Sequence, residues 1–188
     1  SGAQLSNPTR AVALNGDIAY TANVWEGVKI YRLAEGRIEQ IGRLAIPYAA
    51  DVKRAGDRLY VAEGQSGIGV YRIVSDTELK EISRFTELDT PPRFAQFVWA
   101  FEGHDVIAAS SGSTRVLFID FSDLANPKVV LRQHGGSLVY NNYGGQSLVK
   151  NKYFGFSRVF GGIQLFEIGA GSAKLVWEDG FPLCSQTG

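Results

Sequence analysis

One pattern recurs four times along the chain, and it constrains the fold more than anything else in the sequence. A short apolar strand leads into a Gly turn. A Tyr-rich strand ending in small residues follows. A Gly-led strand of alternating apolar residues comes next, then a polar turn and a fourth strand. The first unit reads RAVAL (10–14), Asn15-Gly16-Asp17, IAYTAN (18–23), GVKIYRL (27–33) and IEQIGRL (38–44). The second reads AADVKR (49–54), Ala55-Gly56-Asp57, RLYVAE (58–63), GIGVYRI (67–73) and LKEISRF (79–85). Gly16 aligns with Gly56 and Gly27 with Gly67, both at an offset of 40 residues. The third unit holds AQFVWAF (95–101), DVIAAS (105–110), RVLFIDF (115–121) and KVVLRQ (128–133). The fourth holds QSLVK (146–150), YFGFS (153–157), GIQLFEI (162–168) and AKLVWE (173–178).

The segments are short and rich in β-branched and aromatic residues, as strands prefer. Val28 and Ile30 alternate with Lys29 and Tyr31, the period-two pattern of a strand with two unlike faces. Asn-Gly and Ala-Gly-Asp supply the positive φ of tight hairpins. No long stripe of period 3.6 and no capping box feeding an apolar run is present, so helices are not expected. Four antiparallel strands per repeat, repeated along the chain, predict an all-β fold: a β-propeller of four-stranded blades. One such sheet cannot bury both of its faces, but sheets stacked radially cover each other. The expected division is an N-terminal extension over 1–8, blades over 9–46, 47–92, 93–134 and 135–180, and a further blade start or tail over 181–188. The chain has no Met, opens on Ser1-Gly2-Ala3-Gln4 without a basic-then-apolar segment, and closes on Ser185 to Gly188, which read as the start of another unit. The expectation is therefore a segment of a larger ring of six to eight blades, with the remaining polypeptide of the same propeller as one partner.

The units resemble the LVIVD-type repeats of secreted and surface-associated bacterial and archaeal proteins. NGDIAYTAN (15–23) with GVKIYRL, and GDRLYVAEGQSGIGVYRI (56–73), carry the resemblance. VLFIDFSDLANPKVV (116–130) adds the turn of Asp120, Ser122, Asp123 and Pro127. Glu35-Gly36 and Gly169-Ala170-Gly171 replace that turn in the first and fourth units. The resemblance implies a propeller and an extracytoplasmic location, secreted or at the cell surface. It specifies no activity.

Composition narrows the function. Lys+Arg and Asp+Glu number 19 each, so the formal charge is zero, which speaks against a general electrostatic grip on nucleic acid or an anionic membrane. No apolar run approaches the ~20 residues of a membrane-spanning helix. One Cys and two His make neither a disulfide framework nor a structural zinc site, and no metal or cofactor is expected. No GxSxG elbow, HExxH pair or Walker loop occurs. Asp120 with Asp123 reads as a local backbone-binding turn rather than a calcium site, and Asp51 as a candidate for the channel wall. Trp99 and Trp177 read as core.

In a propeller, binding groups sit on the rim formed by the loops between blades and the loops joining the second and third strands. These loops carry Asn23, Trp25, Glu26, Glu63, Gln65, Tyr48, Asp89 to Arg93, Arg158 to Phe160 and the long insertion HGGSLVYNNYGG (134–145). The expected binding set is Trp25, Tyr48, Arg93, Asn141 and Asn142, serving a protein or glycan partner without catalysis. Aromatic faces suit the apolar face of a pyranose. The alternative is a polysaccharide lyase acting on an acidic glycan. There His134, Tyr140, Tyr143 and Arg158 would form the working set, Arg neutralising the uronate and His or Tyr removing the adjacent proton.

Overall fold

Each repeat folds as an up-and-down meander because its strands are at most eight residues long and its turns admit tight reversal. The computed structural model describes residues 8–89, 94–112, 115–134, 148–149, 152–157 and 163–179. The strands are β1 (Ala11–Asn15), β2 (Ile18–Ala22), β3 (Val28–Ala34), β4 (Arg37–Leu44), β5 (Asp51–Ala55), β6 (Arg58–Ala62), β7 (Ile68–Ile73) and β8 (Leu79–Phe85). They continue as β9 (Val98–Trp99), β10 (Val106–Ser111), β11 (Arg115–Asp120), β12 (Lys128–His134), β13 (Leu148–Val149), β14 (Tyr153–Ser157), β15 (Ile163–Gly169) and β16 (Ser172–Glu178). They make four antiparallel four-stranded sheets, in the orders β1-β2-β3-β4, β5-β6-β7-β8, β9-β10-β11-β12 and β13-β14-β15-β16. Among the described residues there is no helix, and none long and apolar enough to cross a membrane.

Blades 1 and 2 keep the same register through their first three strands. Tyr20 faces Ile30 across its sheet, and forty residues on Tyr60 faces Val70. All four sheets carry a register shift between the third and fourth strands wherever that pair is followed, at Ile30/Tyr31, Val70/Tyr71, Phe118/Ile119 and Leu165/Phe166. Such bulges increase the local twist, which suits a radial stack of twisted sheets.

The core lies between sheets. The first junction packs Ala13, Tyr20, Val28 and Ile30 of blade 1 against Val52, Leu59, Val61 and Tyr71 of blade 2. The second packs Tyr60, Ile68, Val70 and Phe85 against Val98, Ile107, Leu117 and Ile119 of blade 3. The third packs Phe97, Trp99, Val106 and Phe118 against Phe154, Phe166 and Ile168 of blade 4. Polar ties mark the same junctions: Arg32 to Asp76 at 2.9 Å, Arg58 to Asp105 at 2.6 Å, and the Ser83 hydroxyl donating to the Leu124 carbonyl at 2.7 Å.

Two expectations are corrected. The inner strand of blade 3 spans two residues, not 95–101, because the Ser110 hydroxyl oxygen accepts the Gln96 and Phe97 amides at 2.9 Å each and takes the place of ladder bonds. Trp177 is not core: it is half exposed, since it pairs with Leu165 on the face of blade 4 that points away from blade 3. Trp99 is buried as expected.

Burial raises the Tyr20, Tyr60 and Tyr71 hydroxyls above the ordinary tyrosine value, and the Glu63 carboxylate beside Tyr71 adds to its shift. The unfolded chain ionises these groups near pH ~10. The folded chain holds the protons, so their contribution is complete below that pH and is lost as pH rises further. In an alkaline titration, three of the eight Tyr residues should therefore stay protonated until the β-sheet circular dichroism collapses. Ionisation of all eight with the sheet signal intact would contradict this packing.

Candidate functional site

The chain leaving each second strand touches the chain entering the next blade. Val24 forms an isolated antiparallel bridge with Ala49, and Gly64 forms one with Ala95. The Ala49 amide donates to the Val24 carbonyl at 2.8 Å, and Gly64 and Ala95 exchange bonds of 3.1 and 2.9 Å. These bridges join the second-to-third-strand loops to the interblade loops, so one rim is continuous across blades 1, 2 and 3.

An aromatic row lies on that rim. The Trp25 and Tyr48 rings meet edge to face at 4.9 Å, and Tyr48 meets Phe94 at 5.3 Å in the same manner. Such pairs contribute about 0.5–1.5 kcal/mol each beyond their buried area. Arg10 reaches the Tyr48 hydroxyl at 3.5 Å. Trp25 is 67% exposed, whereas Tyr48 and Phe94 are half-buried. The row is thus anchored at one end and open at the other.

The backbone beneath the row is special. A Cβ at Gly64 would fall 2.8 Å from the Phe94 ring and 3.0 Å from Tyr48, and Gly64 has a φ of +62°. At the equivalent place in blade 1 stands Val24, with a φ of +40°. A β-branched residue in the left-handed region is a strained outlier, of the kind found at binding and switch sites. Val24 immediately precedes the exposed Trp25.

Several polar residues of the rim, among those described, are spent on structure. Buried Glu63 accepts the Tyr71 hydroxyl at 2.6 Å and Arg84 at 2.6 Å, and Arg84 also binds Glu81 at 2.8 Å. The bond from Arg84 holds the Glu81 carboxyl below the usual range. Asn23 accepts the Thr21 hydroxyl at 2.6 Å and donates to the Thr9 hydroxyl at 2.8 Å. Asp51 does not present its charge to the channel. It is buried, accepts the Val52 and Val98 amides at 2.9 and 3.1 Å, and pairs with Lys53 at 2.8 Å. Burial raises its pKa despite these partners. Asp51 is a staple between the inner strands of blades 2 and 3.

The turn of Asp120, Ser122 and Asp123 bonds itself, as expected. Asp120 accepts the Ser122 amide and hydroxyl at 2.9 and 3.0 Å, and Asp123 accepts the Ala125 amide at 3.0 Å. No cluster of metal-ligating side chains occurs among the described residues. On the opposite rim, a pocket of about 160 Å³ lies between Gly56, Arg58, Tyr60 and Gly103 to Asp105; its Arg58 is already paired with Asp105.

Of the expected binding set, Trp25 and Tyr48 are brought together. Arg93, Tyr140, Asn141, Asn142, Tyr143 and Arg158 lie outside the described residues, and His134 is placed only as the last residue of β12. Phe94 was not singled out by sequence. Its signal was available: Tyr48-Ala49 and Phe94-Ala95 are the same aromatic-Ala pair at successive blade entries.

No family model matches the sequence, and no curated protein matches it. Solved structures do match. A Lactobacillus plantarum protein aligns with 94% of this chain and 57% of its own, at 13% identity and a TM-score of 0.64. The β-propeller domain of Myceliophthora thermophila Cps50 (Swd1) aligns with 86% of this chain and 52% of its own, at 9% identity and a TM-score of 0.59. A chain from the S. cerevisiae assembly of Dbp5 bound to Nup159, Gle1, IP6 and ADP aligns with 95% of this chain and 45% of its own, at 10% identity and a TM-score of 0.61. At these identities the likeness is one of fold: the four sheets are blades of a β-propeller. The chain spans about half the length of the structures it matches.

Proposed function

We propose that this chain is a non-catalytic, extracytoplasmic β-propeller segment that binds a protein or glycan partner through the rim built by Trp25, Tyr48 and Phe94. On this reading further blades complete the ring, and the remaining polypeptide of the same propeller supplies them. The observation that carries the binding reading is Trp25, a large ring two-thirds exposed, braced by Tyr48 and raised on the strained Val24. A solvated indole on a rigid base is a ready anchor for a sugar ring or an apolar side chain. One structural neighbour comes from an assembly with protein partners, which fits the binding class. The resemblance to LVIVD-type repeats supports the extracytoplasmic location.

The test is a glycan array in parallel with a pull-down from the source organism, using the wild-type chain and Trp25→Ala. Truncating the ring removes its edge contact with Tyr48, about 0.5–1.5 kcal/mol, which leaves the chain folded, so circular dichroism should not change. Any ligand captured by the wild type should lose at least about tenfold in affinity, as expected for an aromatic anchor. Equal capture by Trp25→Ala and Tyr48→Ala would contradict the proposal, as would the absence of any specific ligand in both formats.

A further inference from the structure

The rim of blade 1 keeps an arginine but lacks the acids that neutralise its counterpart in blade 2. Arg84 stands opposite Gly69, and Arg43 stands opposite Lys29, the equivalent position forty residues earlier. Both are tied to the same loop carbonyl. Arg84 donates to that of Ser66 at 3.2 Å, and Arg43 Nε donates to that of Glu26 at 2.7 Å. Around Arg84 two carboxylates close on the guanidinium, Glu63 at 2.6 Å and Glu81 at 2.8 Å. Their blade 1 counterparts are neutral amides. Asn23 stands forty residues before Glu63, and Gln40 faces Tyr31 as Glu81 faces Tyr71. The Glu26 carboxylate does not take their place, since Lys29 holds it at 2.6 Å.

All 19 acidic side chains belong to described residues, and none forms an ion pair with Arg43 or Arg10. Both arginines are exposed. The terminal nitrogens of Arg43 have no partner among the described residues, and Arg10 has only the Tyr48 hydroxyl, at 3.5 Å. Blade 1 also carries Trp25 where blade 2 has Gln65. The solvated indole thus directly precedes the residue that anchors Arg43. Followed by contact, the rim runs Arg43, Trp25, Tyr48, Arg10, a pair of rings with an unneutralised guanidinium at each end.

We infer that this rim takes an acidic glycan, a chain of uronate sugars, with one pyranose face stacked on Trp25 and a carboxylate forked by Arg43. The inference rests on the reading of the Trp25 rim as a binding face and names its ligand. A guanidinium offers parallel N–H donors that match a carboxylate. The apolar face of a sugar suits an open indole. The Nε bond already positions Arg43, which lowers the cost of ordering it on binding. Two features favour a glycan over an acidic peptide. Aromatic anchors of protein interfaces sit in desolvated pockets, whereas Trp25 is 67% exposed, and a sugar ring needs only one open face. A uronate chain also carries a charge and an apolar face on each sugar, as the row of rings and guanidiniums requires.

Calorimetric titration of the chain with galacturonate, mannuronate, guluronate and hyaluronan hexamers tests this, with a neutral galactan hexamer and hexaglutamate as comparisons. At least one acidic hexamer should bind, more weakly as salt is raised, and the neutral hexamer should bind at least about tenfold less well, the scale of one charge-assisted contact. Arg43→Gln and Trp25→Ala should each weaken the acidic hexamer by at least about tenfold for the same reason. Gln40→Glu rebuilds the neutralising pair of blade 2 at an exposed position. It should weaken binding likewise, and it replaces Arg43→Gln if that variant fails to fold. Lys80→Gln removes an exposed cation at the start of β8, on the opposite rim, and should change nothing. Failure of every acidic hexamer to bind overturns the inference, as does binding that survives both Arg43→Gln and Gln40→Glu. Trp25-dependent capture of a neutral glycan or an uncharged peptide would then still uphold the rim as a binding face, whereas the absence of any Trp25-dependent ligand removes both. Hexaglutamate that binds more tightly than every acidic hexamer and is lost in Arg43→Gln would identify an acidic peptide and overturn the glycan.

Discussion

Truncating Phe118 to Ala is expected to lower the unfolding free energy by about 3–5 kcal/mol, the cost of emptying a fully buried aromatic site. Phe118 is a residue of β11 in blade 3, but its neighbours are largely in blade 4. Its ring lies 4.7 Å from Phe166 and 6.2 Å from Phe154, and Phe154 in turn lies 5.0 Å from Phe101. The site is walled by rings on two sheets held at a fixed spacing by their own ladders, so it cannot collapse onto the void. Denaturant unfolding followed by circular dichroism should show a lower midpoint, or loss of a single cooperative transition. A loss below about 1 kcal/mol, the scale of a surface change, would mean that the third junction is not packed as described.

Glu63→Ala is expected to cost about 3 kcal/mol, the lower end of the range for removing one partner of a buried ion pair. The lower end applies because Arg84 is partly exposed and keeps Glu81. The Tyr71 hydroxyl, by contrast, loses its acceptor in a buried position. Room for this network is provided by Gly69, where a Cβ would run into the Glu63 carboxylate and the Tyr71 ring. Blade 1 shows the alternative solution at the same repeat positions. Asn23 replaces Glu63, Lys29 replaces Gly69 and bonds Glu26 at 2.6 Å, and Arg43 donates to the Glu26 carbonyl at 2.7 Å. Tyr71→Phe alone should cost about 1–3 kcal/mol, since its hydroxyl donates to Glu63 at 2.6 Å and accepts from Arg84 at 3.1 Å. Combined with Glu63→Ala it should add less than it costs alone, since both changes remove the Tyr71–Glu63 contact. Strict additivity in that cycle would contradict the network.

The strand quartets were legible in the sequence because the features that create them are local. Gly16 and Gly56 mark hairpins, and the alternation in 27–33 and 67–73 marks strands with two unlike faces. What alternation does not carry is which face is covered. Trp177 has the flanking pattern of a core residue, but it lies on the face of blade 4 that points away from blade 3, and among the described residues nothing covers it. Val12 and Val52 make the same point, being one repeat position with opposite burial. The short β9 was hidden for another reason. Its missing ladder bonds are replaced by Ser110, a residue of the following strand, and nothing within 95–101 announces that. Of the candidate site, Trp25 and Tyr48 were readable as rim aromatics. The Glu63–Arg84 pair was not, because it joins a residue just past β6 to one 21 positions on in β8, and the two meet only once the blade has formed.

Hydrogen exchange at the amides of Ala49, Gly64 and Ala95 tests the radial stacking most directly. All three lie outside the ladders of their own blades, yet each is bonded across a blade boundary. They should exchange slowly, with protection close to that of strand centres such as Tyr60. Exchange at the rate of unstructured peptide would show that the loops of one blade do not engage the next, and would remove both the continuous rim and the aromatic row upon it.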